Sequence, residues 1–292
     1  MEPWAPRLVT TRELVDPAPV TGLASLFDDG LPAPLPGEEL PPLWHWVALP
    51  RWPASSELGI DGHPARGTFL PPVDLPRRMF AGGEVVFHRA IRVGDTVTRE
   101  STVDSVTEKS GRSGRLAIVV VRTRLSAADG SVCLEERQDL IYREPGEPVP
   151  PKPADQNPVG APLRRAEDGT WDFTTDPTLL MRFSAAAANP HRIHYDWPYA
   201  TRAEGYPGLV VHGPLMSLAL AEVLRLDRPG VRVRRLRHRN NAPLFCGEPA
   251  QLRAEPAANT VTLGLFGPGG IPAGPPRTSL EIDLSEEGSA HA

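Results

Sequence analysis

Apolar and polar residues alternate with a period of two through much of the chain between Glu84 and Arg143, the signature of half-buried strands. Strands are predicted over 84–92, 95–107, 116–126 and 132–143, rich in Val, Ile and Thr. Turn-forming groups separate them: Val93-Gly94-Asp95, then Lys109-Ser110-Gly111 with Ser113-Gly114, then Asp129-Gly130. No helical pattern interrupts the series, so the sheet is expected to be antiparallel. A second strand series is predicted over 231–239, 250–254, 260–266 and 278–284. Strand composition also appears at Trp44–Leu49, whereas 51–75 is rich in Pro and Gly and reads as irregular.

Helical patterns precede each strand series. Asp16-Pro17 opens one over 15–27, weakened by Pro19 and Gly22. Asp176-Pro177 opens another, which runs through the alanine block 185–188 and stops near Asn189-Pro190. Residues 216–226 are apolar nearly all the way round, which requires a buried helix. Its start reads as an extended Gly208–His212, Gly213 near the cap and Pro214 at the first helical position, where the missing N–H costs nothing. His191-Arg192-Ile193-His194-Tyr195-Asp196 lies between the two later helices as a loop or irregular turn.

Prolines at 145, 148, 150, 151, 153, 158 and 162 mark a linker. The expected organisation is an N-terminal domain over 1–146, a proline-rich linker over 147–164 and a catalytic C-terminal domain over 165–292, with 268–276 a flexible loop and 286–292 a disordered tail. Both halves run from helix to antiparallel strands, and both place a Gly-acid pair between their first two sheet strands, Gly94-Asp95 and Gly247-Glu248. A long apolar helix wrapped by an antiparallel sheet, twice over, is an α+β double hot-dog fold.

Composition narrows the function. A net charge of −5 argues against nucleic-acid binding. No signal-like start and no apolar run of about 18 residues points to secretion or a membrane. Two cysteines without a pairing motif, Cys133 and Cys246, fit a reducing cytoplasm.

The segment FSAAAANPHRIHYDWPYATRAEGYPGLVVHGPL resembles the signature of the MaoC-like hydratase/dehydratase superfamily, and its closest branch is the hydroxyacyl-thioester dehydratase type 2 and mesaconyl-C4-CoA (3-methylfumaryl-CoA) hydratase group. FLPPVDLPRRMFAGGEVVFHRAIRVGDTVTRESTV and EKSGRSGRLAIVVV resemble the N-terminal region of that branch. The wider superfamily carries Gly-Asp-x-Asn-Pro-x-His; counted back from His194, Asn189 stands at the Asp position and His191 at the Asn position. This chain thus has an amide where the superfamily has an acid, a departure the closer branch shares.

The resemblance implies addition or removal of water at the α,β double bond of an acyl thioester, on a short branched C4-type enoyl-CoA or a 3-hydroxyacyl thioester. Coenzyme A or acyl carrier protein enters as part of the substrate, with no metal or other cofactor, no nucleic acid and no membrane; a homodimer is expected. His194 is the candidate acid/base, because its unperturbed pKa lies near 6.5. Asn189 would orient the water, and the Gly213 N–H at a helix start would polarise the thioester carbonyl. Ser184, His191, Arg192, Tyr195 and His212 are candidate substrate-binding residues. Of these, His191, Arg192 and Tyr195 would fix the loop, and His212 would brace the helix start. Asp196 would either cap the next turn or orient His194. The plainer alternative for His194 is a structural, hydrogen-bonded histidine. Metal binding by the histidines is disfavoured, because Pro190 works against the helix that would put His191 and His194 on one face. Arg232, Arg234, Arg235, Arg237 and Arg239 either meet coenzyme A phosphates or form a solvated strand face. The competing functions are a hot-dog thioesterase, a Michael-addition enzyme and a non-catalytic acyl-thioester-binding protein.

Overall fold

The alternating residues of the first half build four long antiparallel strands, β2 (Arg77–Phe87), β3 (Thr96–Gly111), β4 (Gly114–Ser126) and β5 (Val132–Arg143). A short edge strand, β1 (Val9–Leu14), which the sequence pattern does not predict, pairs with β3. The structure, a computed structural model, describes residues 3–111, 114–152, 160–270 and 274–285. The second half contributes β6 (Leu163–Arg165), β7 (Trp171–Phe173), β8 (Val233–Asn240), β9 (Ala250–Pro256), β10 (Thr260–Phe266) and β11 (Thr278–Leu284). The strands β6 and β7 are three residues each, too short to show a period.

Both halves share one eleven-stranded sheet, ordered β1-β3-β4-β5-β2-β8-β11-β10-β9-β7-β6. They join where β2 runs antiparallel to β8, with Val85 opposite Leu236. The predicted Gly-acid repeat becomes the same turn twice. Asp95 Oδ2 accepts the Arg92 N–H at 2.8 Å, and Glu248 Oε2 accepts the Phe245 N–H at 3.2 Å. Gly94 and Gly247 hold positive φ at matching places.

Among the described residues four α-helices complete the fold: α1 (Pro17–Phe27), α2 (His45–Ala48), α3 (Pro177–Ala186) and α4 (Gly213–Asp227). Asp16 caps α1 by accepting the Ala18 N–H at 2.7 Å, and Asp176 caps α3 by accepting the Leu179 N–H at 2.6 Å. In α4 every residue from Leu215 to Leu224 is buried, and the helix crosses the strands β9, β10 and β11. Burying each large apolar side chain there contributes roughly 1.5–3 kcal/mol. The N-cap of α4 is His212, with Gly213 first and Pro214 second, one residue earlier than the sequence implies.

Trp44–Leu49 is not a strand: it contains the single turn α2. In a strand Trp44 and Trp46 would face the same way. Here the Trp44 indole donates to Glu222 Oε2 of α4 at 3.2 Å, and the Trp46 indole donates to Glu136 Oε1 of β5 at 2.6 Å. Reaching opposite buried carboxylates requires the helical turn, and these contacts override local strand propensity. The helix α1 packs against α2 and α3. The linker is pinned as far as it is described: Val149 N–H donates to Gly205 O at 3.0 Å and Lys152 N–H to Pro207 O at 2.7 Å. Residues 153–159 of the linker, 271–273 of the loop and the 286–292 tail lie outside the described residues.

Candidate active site

The histidine loop begins where α3 ends. Asn189 N–H donates to Ser184 O at 2.8 Å, and its side-chain Oδ1 accepts the His191 N–H at 3.1 Å, so the amide oxygen turns the chain out of the helix. A single 3-10 turn, Arg192–His194, follows. Arg192 pairs with Asp196 Oδ2 at 2.7 Å and lies over the Tyr199 ring at 4.2 Å. Asp196 also accepts the Tyr199 N–H at 3.1 Å, so it caps the next turn. Tyr195 points outward and donates its hydroxyl to Pro190 O at 2.9 Å.

His194 is buried, with Nδ1 2.7 Å from the Val210 carbonyl oxygen. A carbonyl has no proton to give, so Nδ1 carries the hydrogen and Nε2 the lone pair. Its ring stacks on His212 at 3.6 Å, and His212 Nε2 meets Ser184 Oγ at 2.8 Å. Burial first, then the neighbouring His191, lowers the His194 pKa to about 3. Burial lowers His191 to about 4; the Arg78 guanidinium adds to this and Asp61 opposes it. Both are therefore neutral at pH 7, acceptors rather than cations.

A cavity of about 920 Å³ runs between the halves, and Asn189, His191, His194 and Gly213 all line it. Four sequence-predicted binding residues do not reach its wall. Ser184 and His212 sit behind His194 as its packing and hydrogen-bonded support, while Arg192 and Tyr195 hold the loop. The arginines of β8 do not line it either. Arg237 pairs with Glu84 and Glu281, and Arg234 and Arg235 with Asp283, as ion pairs along a strand face.

The N-terminal half supplies groups that sequence reasoning missed, all but Arg78, which it left between a coenzyme A phosphate contact and a solvated residue. Ser101, Thr123, Glu136 and Gln138 of its sheet line the cavity, as do His63 and Arg78. The Arg78 guanidinium makes no hydrogen bond or ion pair among the described residues, although it lies deep enough for burial to lower its pKa. The turn 59–63 docks on the histidine loop: Arg192 N–H donates to Asp61 O at 2.9 Å and Arg192 Nη1 to Ile60 O at 3.0 Å. His63 and His191 lie 4.2 Å apart by ring centroid, and Glu204 approaches His191 Nε2 at 3.5 Å. Burial raises the Glu204 pKa to about 7, with Asp61 adding to it and Arg77 opposing. One donor atom each from Asp61, His63 and His191 lies within 4.8 Å of the others, a different set from the His191 and His194 pair weighed above. The only sequence signal for this contribution is Asp61-Gly62-His63, polar residues about a glycine in a segment read as irregular.

Comparison with solved structures places the fold. A MaoC-like dehydratase from Phytophthora capsici superposes with a TM-score of 0.68 at 17% identity, covering 98% of this chain and 97% of that one. A Mycobacterium tuberculosis protein with a double hotdog fold superposes with a TM-score of 0.56 at 15% identity, covering 97% and 96%. The class is therefore that of double hot-dog proteins. In sequence, mesaconyl-C(4)-CoA hydratase of Chloroflexus aurantiacus is 44% identical over 274 residues, 92% of this chain and 94% of that protein. The family model of hydroxyacyl-thioester dehydratase type 2 matches residues 43–246, and the chain belongs to that family. It is a hydratase/dehydratase of acyl thioesters. Among the described residues no helix is long and apolar enough to cross a membrane, and Cys133 and Cys246 are buried and free.

Proposed function

We propose that the chain interconverts a short enoyl-CoA bearing a carboxylate on its β-carbon, as in mesaconyl-C4-CoA, with the β-hydroxy thioester. The Gly213 N–H, first in α4 and without an internal helix partner, stabilises the thioester oxygen as it becomes an enolate oxygen. The Asn189 side-chain N–H groups hold the water. His194 Nε2 takes a proton from that water as the oxygen bonds to the β-carbon, then returns it to the α-carbon. The chemistry asks for no metal or redox cofactor.

The observation carrying this reading is that a neutral imidazole with its lone pair on Nε2, an amide and a helix N-terminus line the same cavity. Arg78, an unpartnered guanidinium on the same cavity, supports an anionic acyl group, and the Chloroflexus relative is a hydratase of such a substrate. A panel of enoyl-CoAs, followed by loss of the conjugated absorbance, tests it. Mesaconyl-C4-CoA should be hydrated with a higher kcat/KM than crotonyl-CoA, which lacks the carboxylate. Release of free thiol with no hydration would instead identify a thioesterase, and binding without turnover of any thioester a non-catalytic protein.

A further inference from the structure

The Asn189 amide meets only part of what the hydration chemistry asks. Its Oδ1 already accepts the His191 N–H within the turn, and its N–H groups can donate to a water. Those donors hold the water's oxygen but accept neither hydrogen. His194 accepts one. An acceptor for the other would fix the water's aim at the β-carbon.

His63 lines the same cavity and is built into place from the N-terminal half. Its own N–H donates to Asp61 Oδ1 at 3.0 Å, and its Nδ1 lies 3.4 Å from Asp61 Oδ2. A carboxylate there sets the hydrogen on Nδ1 and leaves the lone pair on Nε2, the same tautomer that Val210 imposes on His194. The turn is closed by the Gly59 N–H donating to His63 O at 2.7 Å. Gly62, at φ +90°, approaches the histidine loop so closely that a Cβ would lie 1.9 Å from Pro190 O. Two backbone carbonyls of this turn are tied to Arg192. The His191 ring lies 4.2 Å from the His63 ring and 5.4 Å from the His194 ring by centroid.

We propose that His63, oriented by Asp61, is a second catalytic histidine that accepts a hydrogen bond from the attacking water while His194 carries the transferred proton. The proposal rests on the hydratase reading above. In hydration, one O–H bond of water breaks toward His194 Nε2 and the oxygen pair forms the bond to the β-carbon. The π pair moves to the thioester oxygen beside Gly213. The imidazolium proton of His194 then passes to the α-carbon as the enolate pair returns. The hydrogen facing His63 stays on the new hydroxyl, so both histidines end neutral. In dehydration His63 holds the departing hydroxyl by the same contact. Residues of both halves are then needed for one turnover.

The test compares His63→Ala, His63→Gln and Asp61→Asn with the wild type on mesaconyl-C4-CoA, alongside melting curves and the metal content of each purified protein. The expected result is a kcat loss of roughly 100-fold or more for His63→Ala with KM changed only a few-fold. His63→Gln, whose amide oxygen can accept the hydrogen bond, should keep more of the rate, and added imidazole should restore part of the His63→Ala rate without accelerating the wild type. Asp61→Asn should lose kcat to an intermediate degree. The proposal is overturned if His63→Ala works within about threefold of the wild type, or if His63→Gln retains no more activity than His63→Ala. It is also overturned if a bound divalent metal is lost with His63 and activity follows the metal, which would make Asp61, His63 and His191 ligands. A wild-type protein inert on every enoyl-CoA would refute the hydratase reading itself, a separate result.

Discussion

At Gly62 the turn 59–63 packs on the backbone of the histidine loop with no room for a side chain, so Gly62→Ala tests whether the active site depends on docking the two halves. Two costs can be worked out. A non-glycine residue at φ +90° is strained by about 1–2 kcal/mol. The new Cβ would also sit 1.9 Å from Pro190 O, where real contacts are no shorter than 3.0 Å, so the two loops must part by about 1 Å. That movement weakens the Arg192 bonds to Asp61 O and Ile60 O, each contributing about 0.5–1.5 kcal/mol. The sum is a destabilisation of roughly 2–4 kcal/mol. Displacing His191 and His63 by that distance should lower kcat by about 10- to 100-fold, although position 62 contributes no side chain to the chemistry. Thermal melting and steady-state hydration of mesaconyl-C4-CoA measure the two effects. A variant with both wild-type melting and wild-type kcat would show that the turn is not tied to catalysis.

Other consequences follow from the charges. Replacing Arg78 by Gln should raise KM for mesaconyl-C4-CoA about tenfold or more while leaving crotonyl-CoA unaffected, since a charged hydrogen bond contributes about 1.5–3 kcal/mol; equal effects on both substrates would remove Arg78 from carboxylate recognition. Acid should destabilise the fold. His63, His191, His194, His212 and His238 are all held below their usual pKa by burial, His191 and His238 to about 4. The unfolded chain therefore takes up more protons between pH 6.5 and 4, and each histidine withdraws up to about 1.4 kcal/mol per pH unit as pH falls through that window. Glu204 and Glu222, raised to about 7 by burial, act the opposite way, because their folded forms bind protons first. Five groups against two leave a net loss, so the melting temperature should fall from pH 6.5 to 4.5; a flat or rising profile would contradict the burial of neutral histidines.

Much of this arrangement is legible in the sequence because its signals are local. Period-two alternation marks β3, β4 and β5, since each strand has one face toward the core. Asp-Pro pairs mark the starts of α1 and α3, since capping is a contact within one turn. The unbroken apolar run marks α4, and the His-Arg-Ile-His spacing marks the loop beside it. What escapes is what depends on distant partners. The turn α2 exists because Trp44 and Trp46 reach carboxylates on different elements, and nothing in six residues of strand composition encodes Glu222 or Glu136. Edge strand β1 is stabilised by pairing with β3 rather than by its own pattern. Ser184 and His212 look like binding residues by proximity in sequence, yet they do not line the cavity and instead support His194. His63 and Arg78 stand more than 100 residues before the histidine loop, and only folding brings them to it.

The central claim is that one neutral imidazole, fixed in its tautomer by Val210, moves the proton. The most direct measurement is the hydration rate of His194→Ala on mesaconyl-C4-CoA, taken beside its melting curve. The account predicts a kcat lower by about 1000-fold in a protein that still melts cooperatively. A folded variant that hydrates within about tenfold of the wild type would contradict it.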